Sequence, residues 1–270
     1  MPVQTAAASV LRSCIRSMST RTDDSVTIRV TRLLVVALAG LLSTSIVQSD
    51  TGTELRLMTY NIRYDTSADG ENAWPHRRDA VVNLIHFYGP DILGIQEAKA
   101  HQKDWMLTAL PAFQTIGVGR ADGQSGGEFS SLFIRRERFE LHDSGTFWLS
   151  TTPREPSKGW DAAFPRIATW ARITDRRTGL RYLAVNTHWD HRGNEARIQS
   201  AKLIRRWMAE KSERGERLIL MGDLNTTPST TAFQVLLEDG LLTDARSNSV
   251  IPPFGPSGTF NAFDVSRNDE

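Results

Sequence analysis

Apolar and polar residues alternate in several short runs along the chain, and longer stretches repeat their apolar positions with the period of a helix. Strict alternation is the period of a strand, so the two patterns can be told apart. They predict strands and helices in turn, which favours an α/β domain. Strands are expected near 55–61, 91–96, 130–135, 139–148, 167–174, 180–187 and 217–222, and helices near 76–88, 101–110, 194–211 and 229–238.

Four of these apolar strands end in a polar side chain. One such terminus is commonly a satisfied surface residue. In open α/β sheets, however, the polar termini of neighbouring strands meet in one crevice. We therefore expect a single site built from five side chains at strand ends: Asn61, Glu97, His188, Asp223 and Asn225.

The pair Asp223 and Asn225 follows the apolar run 218–221 and Gly222. Residues two apart in an extended chain point to the same side, so a carboxylate and a carboxamide can face one pocket. A carboxylate can orient a water and a carboxamide can hold a phosphate oxygen, a pairing that phosphoester hydrolysis uses. The alternative is an Asx turn or a helix N-cap, because the next residues resemble a helix start.

Five short motifs occur in order along the chain. They are Thr59-Tyr-Asn-Ile-Arg63, Gln96-Glu97, Asn186-Thr-His188, Gly222-Asp-Leu-Asn225 and Gly258-Thr-Phe-Asn261. Together they resemble the endonuclease/exonuclease/phosphatase superfamily over about residues 54 to 263. That superfamily includes metal-dependent deoxyribonucleases, abasic-site endonucleases, sphingomyelinases and inositol-polyphosphate phosphatases.

The resemblance implies a fold as well as an activity. The expected fold is a four-layer α/β sandwich, in which two packed mixed β-sheets are flanked by helices. Further segments are similar to a secreted bacterial branch of the superfamily. They are Gly117-Val-Gly-Arg-Ala-Asp-Gly123, Gly127-Glu-Phe129, Thr146-Phe-Trp-Leu-Ser150, Gly159-Trp-Asp161 and Asn186-Thr-His-Trp-Asp-His191.

The resemblance implies metal-dependent phosphoester hydrolysis, in which water attacks phosphorus. Glu97, with help from Asn61, is expected to hold one divalent cation, Mg²⁺ or Mn²⁺, because these ions prefer oxygen ligands. Asp223 is expected to orient or deprotonate the water. Asn225 and His188 are expected to donate hydrogen bonds to the charge that grows in the transition state, with His188 as phosphate ligand or general acid.

Three further side chains are expected to contact the substrate. Arg166 precedes a strand and is a candidate phosphate clamp, with a surface salt bridge as the alternative. Asp190 and His191 are expected to rim the pocket. The spacing of His188, Asp190 and His191 also permits a zinc site, although it needs a turn, because Asp190 and His191 face opposite ways in an extended chain.

Residues 1–49 differ in character from the remainder of the chain. Two arginines precede the apolar run 33–42, and small serines follow it. This form is typical of a signal peptide and predicts a secreted or periplasmic protein. An uncleaved anchor that reaches Val47 would instead attach the protein to a membrane. A transit peptide over residues 1–22, or a true start at Met18, also stays open.

Charge and cysteine content narrow the choice of partners. Residues 1–49 hold five of the 32 basic and two of the 31 acidic residues, so the predicted domain at 50–270 has a formal net charge of −2. Proteins that bind duplex nucleic acid carry a basic face, whereas the arginine pairs here are scattered. We expect a monomer that acts on a small or lipid-linked phosphoester rather than on long duplex nucleic acid. Cleavage of the leader would also remove Cys14, the single cysteine.

The chain departs from the superfamily pattern near its C-terminal end. Members continue to an Ile-Asp-x-Ile strand and a Ser-Asp-His motif, which complete the metal and general-base machinery, and neither Asp264 nor Asp269 matches these motifs. We expect a domain that lacks its last core strand or strands and hydrolyses phosphoesters poorly or not at all. The alternative function is a non-catalytic relative that binds a phosphorylated or carbohydrate ligand in the cleft.

Overall fold

The computed structural model describes residues 54–254 and 258–264, so the leader predicted at 1–49 and the residue Asp269 lie outside the described ranges. Within these ranges the chain forms eight strands and four α-helices. The strands are β1 Leu57–Asn61, β2 Ile92–Gln96, β3 Phe113–Ile116, β4 Leu132–Arg135, β5 Phe139–Trp148, β6 Ile167–Asp175, β7 Arg181–His188 and β8 Glu216–Asp223. The helices are α1 Trp74–Tyr88, α2 Ala100–Ala109, α3 Asn194–Lys211 and α4 Thr231–Leu237, and short 3₁₀ turns cover Ser67–Asn72 and Glu238–Gly240.

The strands form two four-stranded sheets. The first has the order β1-β2-β4-β3 and the second has the order β5-β6-β7-β8. Each sheet is mixed, because β1 is parallel to β2 and β7 is parallel to β8 while the other neighbours are antiparallel. The prediction of two mixed sheets flanked by helices is therefore confirmed.

Side-chain alternation along the strands produces the four layers. Successive side chains of a strand point to opposite faces, so each buried strand supplies two cores. On the outer face of the first sheet, residues of β2 pack against α1 and α2. On the outer face of the second sheet, residues of β6 and β7 pack against α3 and α4. The layer between the sheets is apolar and includes Ile92, Leu132, Ile134, Phe139, Ala171, Ile173, Tyr182 and Met221.

A buried amide pair joins the two sheets within that apolar layer. Asn186 of β7 donates from Nδ2 to the carbonyl oxygens of Ile95 and Ser131, at 2.9 and 3.0 Å. Its Oδ1 accepts a hydrogen bond of 2.7 Å from Nε2 of Gln96 in β2. Both side chains are almost fully buried. Because buried polar groups without partners are costly, these bonds fix one relative position of the sheets.

A second buried polar cluster lies at the opposite end of the strands. Arg138, which precedes β5, pairs with Asp91 at 2.6 Å and with Asp175 at 2.8 Å. Asp91 precedes β2 in the first sheet and Asp175 ends β6 in the second. The guanidinium thus ties the sheets together at this end, as the amide pair does nearer the other end.

Each predicted element matches an observed one within two residues at both ends, and the structure adds one short strand that the pattern does not predict. The short strand β3 was not expected, because its four residues Phe-Gln-Thr-Ile carry too weak an alternation to be recognised. Helix α4 begins later than expected, since the hydroxyl of Thr230 caps it by accepting from the backbone N–H of Phe233. Within the described ranges, no helix has the length and apolar character that crossing a membrane requires.

The amide pair leads to a prediction about stability. Replacing Asn186 by Ala removes three hydrogen bonds and leaves buried partner groups unsatisfied, so the free energy of unfolding should fall by about 3 kcal/mol or more. The matched control is Asn83→Ala on the exposed face of α1, which should change stability by less than about 0.5 kcal/mol. Urea titration of both variants measures this, and equal stability would mean that the pair does not hold the sheets.

Candidate active site

The strand ends that carry the predicted site meet at one edge of the sandwich. In the first sheet the register pairs Asn61 with Gln96, and in the second it pairs His188 with Asp223. Side chains that lie an even number of residues apart on a strand point to the same face of the sheet. By this alternation Asn61, His188 and Asp223 all point toward the layer between the two sheets. The site therefore lies at the seam between the two sheets.

Asn61 is the central side chain of this cluster. Its Nδ2 donates to Oε1 of Glu97 at 2.8 Å and to Oδ2 of Asp223 at 2.9 Å, which joins the two sheets at the seam. Its own Oδ1 accepts from the backbone N–H of Arg63 at 2.9 Å. One carboxamide thus brings together two carboxylates that are far apart in sequence.

Glu97 reaches the seam through an unusual backbone conformation. Its φ is +66°, and Arg63 and Asn225 also have positive φ, at +59° and +46°. Such values cost roughly 1 kcal/mol or more outside glycine and tend to cluster at functional sites. The turned backbone lets the Glu97 carboxylate accept from the N–H of Tyr64 at 3.2 Å as well as from Asn61.

The segment after β8 forms the Asx turn that is the structural alternative for Asp223 and Asn225, and their functional roles stay predictions. Oδ1 of Asp223 accepts from the backbone N–H of Asn225 at 3.0 Å, which is an Asx turn. Its Oδ2 faces Asn61 and lies 3.8 Å from Nε2 of His188. Asn225 donates from Nδ2 to the carbonyl of Trp189 at 2.9 Å, so it holds the next loop in place. The structure brings four of the five predicted strand-end side chains together: Asn61, Glu97, His188 and Asp223. Asn225 meets Asp223 through its backbone N–H, and its side chain contacts Trp189. The chemical roles of all five stay predictions.

His188 is buried and its pKa lies well below the ordinary value of 6.5. The main cause is burial, which disfavours the charged imidazolium, followed by the positive charges of Arg166 and Arg120. The imidazole is therefore neutral at pH 7. A neutral ring can donate one hydrogen bond and accept another, which suits a phosphate ligand better than a proton donor.

Arg166 occupies a buried position next to this imidazole. Only 4% of its surface is exposed, so the salt bridge that it forms with Asp190 is buried rather than on the surface. Its Nε donates to Asp190 at 3.2 Å and its Nη2 contacts Nδ1 of His191 at 2.9 Å. Its Nη1 is buried and has no hydrogen-bond partner among the described residues. One nitrogen of the guanidinium is therefore left without a partner in this part of the protein.

Asp190 lies beneath the rim of the site rather than on it. Its two oxygens accept from the backbone N–H groups of Ala163, Arg192 and Gly193 as well as from Arg166. These bonds occupy the carboxylate lone pairs that a zinc ion would need. The side chain of His191, in contrast to that of Asp190, is exposed. The carboxylate therefore positions Arg166 and the following loop.

The residues near Glu97 decide whether a metal ion would fit. Among the described residues, no three His, Cys, Asp or Glu side chains lie close enough together to hold a metal by themselves. Glu97 and Asp223 nevertheless present two carboxylates on either side of Asn61. Magnesium takes one or two protein carboxylates and keeps several waters, so this oxygen-rich set fits Mg²⁺ or Mn²⁺ better than zinc.

Several side chains at the site did not emerge from the sequence. Arg63 and Tyr64 contact Glu97, and Arg63 lies in the same motif as Asn61. Arg120 acts on the pKa of His188 and belongs to the glycine-rich loop 117–127 between β3 and β4. No local pattern marks these residues as functional, because their contacts cross long stretches of chain.

The fold and the seam site define a member of a known family. Residues 58–268 match the Endonuclease/Exonuclease/phosphatase family, and the chain belongs to it. Among solved structures, the mannosyl-6-phosphatase Bt3783 of Bacteroides thetaiotaomicron is 36% identical, with 72% of this chain and 74% of that chain covered and a TM-score of 0.70.

Two further relatives extend the comparison. An endonuclease/exonuclease/phosphatase from Bacteroides vulgatus is 42% identical over 73% of this chain and 76% of its own, with a TM-score of 0.69. The CCR4-Not complex 3′-5′-exoribonuclease subunit Ccr4 of Emericella nidulans is 20% identical over 70% of this chain, which spans 38% of that protein. The family thus contains both a phosphatase and a nuclease that are similar to this chain.

The environment of Asp190 predicts how stability depends on pH. Burial alone would raise its pKa, but the backbone hydrogen bonds and Arg166 outweigh burial and hold the pKa well below the ordinary 3.8. A depressed carboxylate pKa contributes stability above the unfolded value, and this contribution is lost as pH falls through the folded value. Asp190→Asn should therefore lower the free energy of unfolding by about 2 kcal/mol at pH 7.

The difference in the free energy of unfolding between the wild type and Asp190→Asn should shrink as the pH is lowered below 3.8. Urea unfolding at pH 7, 4 and 3 measures it. The control Asp79→Asn, on the exposed surface of α1, should show no such trend. A difference in unfolding free energy that stays constant at all three pH values would contradict the lowered pKa of Asp190.

Proposed function

We propose that this protein is a divalent-metal-dependent phosphoester hydrolase. The observation that carries the proposal is the Asn61 amide, which holds the carboxylates of Glu97 and Asp223 together beside His188. A carboxylate for a cation, a second carboxylate for water and neutral donors for phosphate are the parts that such a reaction needs. Membership of a family with phosphatase and nuclease relatives supports the same conclusion.

Glu97, assisted by Asn61, would hold the cation. A bound Mg²⁺ or Mn²⁺ supplies positive charge that neutralises a phosphate oxygen and the leaving oxygen. Arg63, whose Nη1 lies 3.9 Å from Oε2 of Glu97, adds a positive charge at the same carboxylate. Tyr64 fixes the carboxylate through its backbone N–H.

The remaining side chains act on the water and the phosphoryl group. Asp223 orients the attacking water and accepts its proton, through the oxygen that faces Asn61. His188, neutral because it is buried, donates a hydrogen bond to a phosphate oxygen. Arg166 offers its unpartnered Nη1 to another oxygen, and Asn225 fixes the loop that carries Trp189.

The substrate is proposed to be a small or lipid-linked phosphoester, and a phosphorylated sugar in particular. The name of the 36% identical mannosyl-6-phosphatase supports a sugar phosphate. The net charge of −2 over residues 50–270 and the scattered arginines argue against a track for long duplex nucleic acid. On the sequence of the leader we also propose that the protein is secreted or periplasmic, and that it acts as a monomer.

The metal role of Glu97 gives the first test of this proposal. Glu97→Gln keeps the shape of the side chain but removes the ligand charge, so the dissociation constant for Mn²⁺ should rise at least about tenfold. Electron paramagnetic resonance of free Mn²⁺ measures binding independently of turnover. Phosphate release from a phosphoester should stop in excess chelator and return with Mg²⁺.

The matched control is Glu210→Gln, an exposed carboxylate of α3, which should bind Mn²⁺ like the wild type. Phosphate release is measured in a single turnover with protein in excess. Hydrolysis that persists in excess chelator would refute metal dependence. Phosphate binding without any metal-dependent release would instead favour the non-catalytic alternative.

Asp223 provides the second test, because its proposed role is in the chemical step. Asp223→Asn keeps an acceptor for the N–H of Asn225 but cannot take a proton, so single-turnover rates should fall by roughly 10²- to 10⁴-fold. Substrate affinity should change much less. Asp239→Asn, an exposed carboxylate, is the control, and a rate for Asp223→Asn near that of the control would exclude the general-base role.

A further inference from the structure

A second polar pair lies beside the seam site. Nη2 of Arg120 donates to Oε1 of Glu128 at 2.9 Å, and both side chains are largely buried. Burial lowers the pKa of Arg120 and raises the pKa of Glu128, while their mutual attraction opposes both shifts. The pair is close to neutral as a unit, and it offers donors and an acceptor side by side.

The glycine-rich loop holds Arg120 rigidly. Asp122 closes this loop by accepting from the backbone N–H groups of Gln124 and Gly126, both at 2.8 Å. A Cβ added at Gly119 would lie 2.3 Å from the carbonyl oxygen of Gly126, so only glycine permits the close approach. The carbonyl of Arg120 also accepts from the indole N–H of Trp148 at 2.8 Å. The position of Arg120 is thus set by the fold.

Phe164 presents an aromatic surface next to this pair. It is 49% exposed, which is unusual for a phenylalanine. The guanidinium of Arg120 lies 5.1 Å from its ring centre, and the ring of His191 stacks on it at 6.2 Å with an interplanar angle of 18°. Two neighbours therefore hold the ring in one orientation while half of it remains open to solvent.

Contacts through Arg166 connect this surface to the reacting end of the site. Arg166 contacts His191, which stacks on Phe164, and its charge acts on His188 at the seam. The buried Nη1 of Arg166, without a hydrogen-bond partner in the described part of the chain, lies in the same cluster. A ligand with a phosphoryl group at His188 would place its remaining part near Arg120 and Phe164.

We propose, on the basis of the hydrolase function above, that Arg120, Glu128 and Phe164 form a subsite for the alcohol part of the substrate, and that this part is a pyranose sugar ring. Sugar hydroxyls need both donors and acceptors, which the ion pair supplies. The apolar C–H face of a pyranose packs on an exposed aromatic ring, as Phe164 provides. A second phosphate is disfavoured, because the Glu128 carboxylate would repel it.

The experiment compares three ligands by isothermal titration calorimetry in Mg²⁺, using the full chain. The probes are mannose 6-phosphate, inorganic phosphate and adenosine monophosphate. The measured preference is the dissociation constant of phosphate divided by that of mannose 6-phosphate, and adenosine monophosphate tests for a nucleobase. The wild type should bind mannose 6-phosphate more tightly than phosphate. Phe164→Ala should reduce this preference by about tenfold, while Phe164→Tyr, which keeps the ring, should retain it.

The control variant is Phe87→Ala, an exposed phenylalanine at the far end of α1, which should keep the wild-type preference. Glu128→Gln should also reduce the preference about tenfold, because a charged acceptor is lost. A wild type that prefers adenosine monophosphate over mannose 6-phosphate would overturn the sugar in favour of a nucleobase. An unchanged preference in Phe164→Ala would overturn the subsite.

These outcomes are separate from a failure of the proposed hydrolase function. If no phosphoester is hydrolysed in a metal-dependent way but the Phe164-dependent preference persists, the subsite stands and the chemistry does not. If hydrolysis is metal-dependent but the preference does not depend on Phe164, the chemistry stands and the subsite is wrong.

Discussion

The contact between Asn186 and the first sheet is the interaction on which the rest of this structure depends. An amide buried in an otherwise apolar layer must satisfy its donors and acceptor, and here it does so through Ile95, Ser131 and Gln96. The contact also requires a glycine at position 94, since a Cβ there would lie 2.5 Å from Oδ1 of Asn186. Two apolar sheets could slide against each other, but sheets joined by this amide have one fixed relative position.

The site depends on that relative position of the sheets, because its residues are divided between them. Asn61 and Glu97 come from the first sheet, whereas His188 and Asp223 come from the second. The hydrogen bond from Asn61 to Asp223 joins residues 162 positions apart in the chain. Sliding one sheet over the other by one residue would move these side chains apart by about 3.3 Å and break their contacts at the seam. Fold specificity and site geometry therefore have the same physical origin.

Buried arginines set the electrostatics on the side of the site formed by the loops. Arg166 is compensated by Asp190 and Arg120 by Glu128, so their charges are tolerated in a low-dielectric setting. Burial, together with their combined field, keeps His188 neutral. The same field favours the approach of an anion to the seam, so it serves the proposed phosphoryl chemistry.

The sequence by itself determined seven of the eight described strands, the four α-helices and the polar residues at the strand ends, because alternation and helical periodicity are local properties. It also determined the family, through motifs that include Asn61, Glu97 and Asp223. Only the tertiary structure decided that Arg166 is buried on Asp190, that Glu97 turns inward with positive φ, and that Phe164 lies beside Arg120. Those features arise from contacts between distant segments, and their energies exist only once the two sheets have packed.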